Sequence, residues 1–212
     1  MSHSTATDVR APTDVHTAGW LCLVAGLLGA ASGIYLAVLE PAVGEDQWSY
    51  PQSVGAFALT QVWFAVQHLG LLAGIVALGR SGAAGDRRAS RVAVLVASSG
   101  MAALAVTELV AILPAEEPVD AAFPVALGAV YGLVSTVLGV SLTVLGVQVV
   151  RARVWTDWRR WVPLAVGAWV FVPMFPAMAV SFLGARLSIS GWMLLFALLG
   201  AALVRTDSAR QS

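Results

Sequence analysis

Two ionisable residues, His68 and Glu108, interrupt stretches of the chain that are otherwise apolar. An ionisable side chain at membrane depth is costly, and it commonly marks an ion or solute pathway. Three further polar residues, Thr60, Gln61 and Gln67, share the apolar stretch with His68. Residues seven apart lie nearly two helical turns apart on one face. The pattern therefore predicts a polar column on one helix, and the five residues together form the candidate site.

Depth along the helices argues against a direct relay between His68 and Glu108. If the second helix begins at residue 54, His68 lies about 21 Å along it from the outer end. Glu108 lies about 8 Å from the end of a third helix that stops near residue 113. Gln61, about 10 Å deep, is a better match in depth, as is the adjacent Thr60. We therefore expect Glu108 to meet Gln61 or Thr60, and not His68.

The composition places the chain in a membrane. Hydrophobic residues make up 58% of the 212 residues and charged residues only 11%, whereas soluble domains carry about 25% charged residues. The formal net charge is zero and all twelve basic residues are arginine, so no lysine chemistry is available and no nucleic-acid partner is expected. The single cysteine, Cys22, excludes an internal disulfide.

Six apolar stretches are long enough to span a bilayer, which needs about 20 residues per helix. The predicted fold is all-α, a six-span bundle over residues 18–204. The first span is expected to be retained, because its apolar run is longer than a signal-peptide core. A polar tail, residues 1–17, is expected to be disordered, and residues 205–212 form a second tail. The predicted spans are 18–39, 54–79, 92–113, 124–149, 161–184 and 187–204.

The arginines predict the orientation of the bundle. Eleven of the twelve fall in the two tails and in alternate loops, and only Arg186 falls in a loop on the other side. Arginine-rich short loops stay cytoplasmic, so both termini are expected inside a bacterial-type cytoplasmic membrane. The lipid bilayer is the one partner that the sequence implies directly.

Small residues at helical spacing predict where the spans approach each other closely. The fourth span carries the longest such series, so we expect it at the centre of the bundle. The same series is also suited to a homodimer or to another membrane subunit. The packing glycines are Gly29, Gly33, Gly70, Gly74, Gly128, Gly132, Gly139 and Gly146.

Two prolines, Pro173 and Pro176, lie within the fifth span. Proline removes a backbone donor and clashes with the preceding turn, so a kink is expected there. Broken helices mark substrate sites in some transporters, but prolines also occur in membrane helices for purely architectural reasons.

No HExxH, GxSxG or P-loop motif is present, so no enzyme activity is expected. Haem held by two histidines would need a second histidine at membrane depth, and zinc would need more ligands than the spans offer. No cofactor or metal is predicted.

Three functions stay open. The leading hypothesis is a non-enzymatic membrane interaction or accessory subunit, and the alternative is a small transporter or channel for protons or a small polar solute that uses the polar column with Glu108. A sensor of an outer ligand is the third. The polar residues are also consistent with hydrogen-bonding groups that only fix helix register.

Overall fold

Helices account for most of the chain in the computed structural model, which describes residues 11–208. A 3₁₀ turn at Trp158–Trp161 precedes α5, and a π-helical turn at Val170–Met174 follows it. The α-helices of the described chain are α1 Ala11–Val38, α2 Val54–Arg80, α3 Arg88–Val110, α4 Ala122–Ala152, α5 Val162–Trp169, α6 Phe175–Val180 and α7 Phe182–Ser208.

Six helical segments are long and apolar enough to cross a membrane, by length and composition. Five are the long helices, and the remaining one is the composite segment Trp158–Val180. The predicted all-α, six-span architecture is confirmed at this level, and it indicates a membrane-embedded protein.

Several predicted boundaries differ from the structure: α3 ends at Val110 and not at residue 113, and α7 continues to Ser208, so residues 205–208 are helical. Two further differences change the interpretation. The first helix begins at Ala11, so residues 11–17 are helical and do not belong to a disordered tail; residues 1–10 lie outside the described part. The last helix begins at Phe182, and only the extended residue Ser181 separates it from α6. Arg186 therefore lies within α7 and not in a loop. Its side chain turns back towards the start of α7, where the guanidinium lies 4.9 Å from the centre of the Phe182 ring.

The predicted break in the fifth span is confirmed. Pro173 lies inside the π-helical turn Val170–Met174, where the regular α-helical hydrogen bonding is interrupted. Pro176 lies in α6 directly after this turn and removes a second backbone donor from the same stretch.

The spans form a closed ring in which α4 is not central. Each of α1 to α4 packs against its neighbours in sequence, α5 and α6 pack against α7, and α7 closes the ring on α1. The contact between α1 and α7 is the most extensive, and α7 is the most buried span. Helix α4 contacts α3 on one side and the fifth span on the other. Its small residues therefore lie in helix–helix contacts over only part of its length.

Glycines allow close approach at several of these contacts. An added Cβ on Gly33 would meet Ser190 of α7, and one on Gly29 would meet Met193 of α7 at 2.9 Å. Gly70 and Gly74 of α2 adjoin α1 in the same way. Between α4 and α5, Gly146 lies against the backbone of Leu164, and Gly139 lies against Phe171 and Val170.

Gly128 and Gly132 differ from the other glycines. A Cβ at either position would meet nothing within 4 Å among the described residues. Both are exposed on the half of α4 that lies beyond the contact with α5. Their expected role in packing between spans of one chain is therefore wrong, because the interrupted fifth span does not cover this face.

The two acidic loops join to form a cap over one end of the bundle. The backbone N–H of Trp48 donates to Glu117 at 3.0 Å, and that of Val119 donates to Asp46 at 2.8 Å. The ring of Tyr50 stacks edge-on against Phe182, with ring centroids 5.1 Å apart. We call residues 39–53 and 111–121 the acidic cap, and the opposite face the arginine-rich end.

Candidate functional site

The Glu108 carboxylate is the centre of a buried polar cluster below the acidic cap. Its Oε2 accepts hydrogen bonds from the Tyr131 hydroxyl at 2.7 Å and from the Gln61 amide at 3.0 Å. Glu108 and Gln61 are both buried. The predicted contact between Glu108 and Gln61 is confirmed, and Tyr131 adds a donor from α4.

His68 also reaches Glu108, contrary to expectation. Its Nδ1 lies 3.9 Å from the second carboxylate oxygen, Oε1. The same nitrogen is 2.6 Å from the carbonyl oxygen of Phe64. A carbonyl oxygen only accepts hydrogen bonds, so this contact requires a proton on Nδ1. The remaining ring nitrogen, Nε2, is then the acceptor in the neutral ring.

His68 reaches Glu108 because the ends of α2 and α3 do not lie in one plane. Helix α2 has 27 residues, or about 40 Å of helix, which exceeds a bilayer core of about 30 Å. Helix α3 ends at Val110, which puts Glu108 in its last turn. Gln61 and His68 are about 10 Å apart along α2, and the long side chain of Glu108 lies between them.

The predicted polar column divides into two sets. Gln61 and His68 face Glu108, whereas Thr60 and Gln67 do not. The hydroxyl of Thr60 accepts from Gln52 at 2.8 Å. Gln67 is turned towards α1, where its side-chain oxygen accepts from the backbone N–H of Gly29 at 3.1 Å and from the Trp63 indole at 2.8 Å. Adjacent helical positions differ by about 100° in direction, because a turn takes 3.6 residues. Thr60 and Gln67 therefore point to a different side of α2 from Gln61 and His68.

Sequence reasoning missed two members of the cluster, Tyr131 and Arg186. Both side chains are half-buried. Arg186 interacts electrostatically with Glu108 and with Tyr131, and its guanidinium lies 4.9 Å from the centre of the Phe182 ring. The signal for Arg186 was the predicted loop of two residues at 185–186, which is too short to carry the chain out of a membrane and back. We call Gln61, His68, Glu108, Tyr131 and Arg186 the Glu108 cluster.

Polar atoms without partners lie between the cluster and the arginine-rich end. The hydroxyl of Ser98 on α3 and the side-chain oxygen of Gln148 on α4 are buried, and neither has a hydrogen-bond partner in the described chain. Ser141, on the same face of α4 as Gln148, bonds to its own helix at 2.7 Å. Buried polar atoms of this kind are commonly satisfied by internal water.

The arginine-rich end carries one strongly paired carboxylate. Asp157 accepts from the Arg159 side chain at 2.9 Å and from the Arg159 backbone at 3.1 Å. These hydrogen bonds lower the pKa of Asp157 below that of an ordinary aspartate. Nearby, Trp158 and Trp161 are exposed, whereas Trp155 is buried.

The Glu108 cluster has the composition of a proton-handling or polar-ligand site, with an acid, an imidazole and a phenol around one point. Within the described residues, no three His, Cys, Asp or Glu side chains come close enough to hold a metal ion. The cluster itself supplies two such groups, His68 and Glu108.

Comparisons of the chain with models of known protein families, with curated proteins and with solved structures find no match. The function of the fold and of the Glu108 cluster is therefore inferred from their geometry alone. Together they define a multi-pass helical membrane protein with a buried polar centre.

Proposed function

We propose that the protein is a small, non-enzymatic transporter or channel that moves protons, alone or with a small polar solute, through the Glu108 cluster. The observation that carries this proposal is the meeting of Glu108, Tyr131 and His68 at one point inside the bundle. Polar and ionisable residues within spans are expensive and mark pathways by default.

The cluster is well suited to exchange a proton. Glu108 has donors on one oxygen, whereas the other oxygen lies 3.9 Å from His68. A proton taken up at Nε2 makes the ring an imidazolium, and transfer of the Nδ1 proton to Oε1 after a small movement of the ring then leaves His68 neutral and Glu108 protonated. No metal or cofactor is needed for this exchange, because carboxylate, imidazole and water are sufficient.

Polar groups extend from the cluster in both directions. Towards the acidic cap lie the buried residues Ser49 and Gln52, with Thr60 bonded to Gln52. Towards the arginine-rich end lie the unpartnered oxygens of Ser98 and Gln148. Ser98 is ten residues from Glu108 on α3, or about 15 Å along the helix. Internal water at these positions would supply further proton-carrying groups on the arginine-rich side of the cluster.

Reconstitution into liposomes tests the proposal. A pH-sensitive dye trapped inside reports proton entry when a potassium gradient with valinomycin sets an inside-negative potential. If the proton moves alone, we expect the wild-type protein to acidify the lumen under this potential; if it moves with an anion, acidification requires an inward gradient of that anion and is independent of the potential. In either case Glu108→Gln should abolish the flux and His68→Ala should reduce it.

The matched control is Glu116→Gln, which removes a carboxylate from the exposed surface of the acidic cap. This variant should conduct like the wild type. Transport that survives both Glu108→Gln and His68→Ala would contradict the proposal, as would the absence of flux in folded wild-type protein with and without added solutes.

A second candidate function, a membrane interaction subunit, is favoured by the open glycine face of α4. Gly128 and Gly132 have no neighbour within 4 Å in the described chain, and such faces allow close helix contact with another chain. Gly132→Cys should then form a disulfide-linked dimer in membranes, or crosslink to another membrane subunit, whereas Leu194→Cys on the exposed face of α7 should not. Equal crosslinking of both variants, or of neither, would reject the contact.

A further inference from the structure

Arg186 has an unusual environment for a guanidinium inside a membrane-spanning helix. Within residues 11–208 its side chain makes no hydrogen bond and no ion pair shorter than 4.0 Å. Its one described side-chain contact is the stacking over Phe182 at 4.9 Å. Five N–H donors are thus left without a protein acceptor. Unmade hydrogen bonds on a charged group are costly in an apolar setting, so this half-buried guanidinium favours binding of an acceptor from outside the chain.

We propose that Arg186 is the binding residue for a small monoanionic carboxylate, and that the carboxylate binds together with a proton taken up by Glu108. This inference rests on the proposed transport function, and it names the solute that the Glu108 cluster carries.

Charge balance is the reason for the coupling. Arg186 and Glu108 attract each other across the cluster, so an ionised Glu108 balances the arginine in the empty site. A second anion beside Arg186 would leave the cluster with an excess negative charge at membrane depth. Protonation of Glu108 removes that excess. The incoming proton ends on the Glu108 carboxyl group, the carboxylate ends on Arg186, and the net charge of the site is unchanged.

The other groups facing Glu108 are compatible with this exchange. Neutral His68 lies on the α2 side, the Tyr131 hydroxyl on the α4 side, and Gln61 bonds Oε2. None of them brings a second positive charge when His68 is neutral. One cation and one titrating carboxylate therefore define the site.

The chemistry of the guanidinium selects the type of anion. Its planar fork matches a carboxylate with two parallel hydrogen bonds. A dianion such as inorganic phosphate would leave a negative charge that a single arginine does not balance. Arg186 and Tyr131 are half-buried, and Arg186 lies near the start of α7, where Phe182 contacts Tyr50 of the acidic cap. A small solute can therefore approach the cluster from the cap side.

Proton uptake on binding tests the inference with purified full-length protein in nonionic detergent. Acetate and lactate are the probes, each added near neutral pH to weakly buffered protein containing a pH indicator, with binding measured by calorimetry. We expect one proton to be taken up for each anion bound. Binding should weaken about tenfold for each pH unit above the pH at which Glu108 titrates in the empty site.

Substitutions at two positions separate the roles. Glu108→Gln should bind the carboxylates without proton uptake and with no pH dependence. Arg186→Gln should not bind them, and Arg186→Lys, which keeps the charge without the fork, should bind more weakly. The controls are Glu116→Gln and Arg87→Gln, which change exposed loop residues and should behave like the wild type.

Each other outcome overturns a stated part of the inference. Absence of binding of both carboxylates, or equal binding by Arg186→Gln, rejects the site; binding by wild type without proton uptake rejects the coupling. If phosphatidylglycerol, but neither probe, protects the protein from thermal unfolding through Arg186, the ligand is a lipid headgroup. Proton flux in liposomes that needs Glu108 but no carboxylate would keep the proposed function and reject this inference, whereas loss of all flux would reject both.

Discussion

Tyr131 shows how much the Glu108 cluster depends on one hydroxyl. Its bond to Glu108 is the shortest contact between two side chains of the cluster, at 2.7 Å. Tyr131→Phe removes that donor without changing the shape of the side chain. We expect a loss of about 1–2 kcal/mol in the free energy of unfolding, because hydrogen bonds to charged groups are stronger than average but modest within membranes. Chemical unfolding in detergent micelles measures this loss.

Tyr35→Phe is the matched control, because Tyr35 is exposed on the outside of the bundle. Its free energy of unfolding should change by less than about 0.5 kcal/mol. Equal losses in the two variants would show that the Tyr131 hydroxyl contributes nothing specific to the cluster.

The site residues differ in how far the sequence reveals them. Glu108 and His68 were evident because an ionisable residue contrasts with its apolar neighbours, and seven-residue spacing paired Gln61 with His68. Tyr131 gave no such contrast, since a lone tyrosine within an apolar span is ordinary. The meeting of His68 with Glu108 was not predictable from helix lengths, because it depends on relative helix shifts and on side chains about 5 Å long.

At the scale of single elements, α4 carries two sets of glycines with different roles. Gly146 lies against the backbone of Leu164, whereas Gly132 faces open space. Gly146→Val should force α4 and α5 apart and cost about 1–3 kcal/mol in the free energy of unfolding. Gly132→Val should leave the stability of the monomer nearly unchanged.

The pair is informative because both substitutions add the same side chain to the same helix. Unfolding in detergent, together with size-exclusion chromatography, separates loss of monomer stability from loss of an oligomer. A large loss of monomer stability in Gly132→Val would contradict the open face that the structure gives this position.

The short 3₁₀ turn at Trp158–Trp161 depends on pH through Asp157. Because Arg159 lowers the pKa of Asp157, the ionised carboxylate supports the turn at neutral pH. This support is lost as the pH falls through the lowered pKa. In Arg159→Gln the carboxyl group should therefore titrate at a higher pH than in the wild type. Carbon-13 NMR of labelled aspartate measures both titrations, and identical midpoints would contradict the pairing.

The fifth and sixth spans show what sequence patterns leave open. The break at Pro173 was predictable because proline lacks the donor that a regular helix needs. The junction was not, because Ser181 is the only extended residue between α6 and α7 and its neighbours carry no strong turn signal. Because the junction was not predicted, Arg186 was assigned to a loop and was not included among the candidate site residues.

For the whole molecule, hydropathy and length were sufficient to predict six spans, because a bilayer imposes a minimum apolar length on each helix. Their arrangement was not predictable from composition. We predicted a central position for α4 from its many small residues. In the structure, the most extensive contact in the ring is between α1 and α7. Small residues permit close packing on any face, and the partner of each face depends on where neighbouring helices run.

The orientation of the whole bundle is the remaining prediction at this scale. The arginine-rich end includes Arg87, and the acidic cap includes Asp46 and Glu116, all with exposed side chains. Because arginine-rich loops stay cytoplasmic, the cap is expected outside. The native Cys22 is fully buried, so single cysteines at these three positions can be distinguished from the background. An impermeant maleimide applied to intact cells should label Asp46→Cys and Glu116→Cys but label Arg87→Cys only after lysis. The reverse pattern would place the acidic cap inside and would invert the direction in which the Glu108 cluster opens.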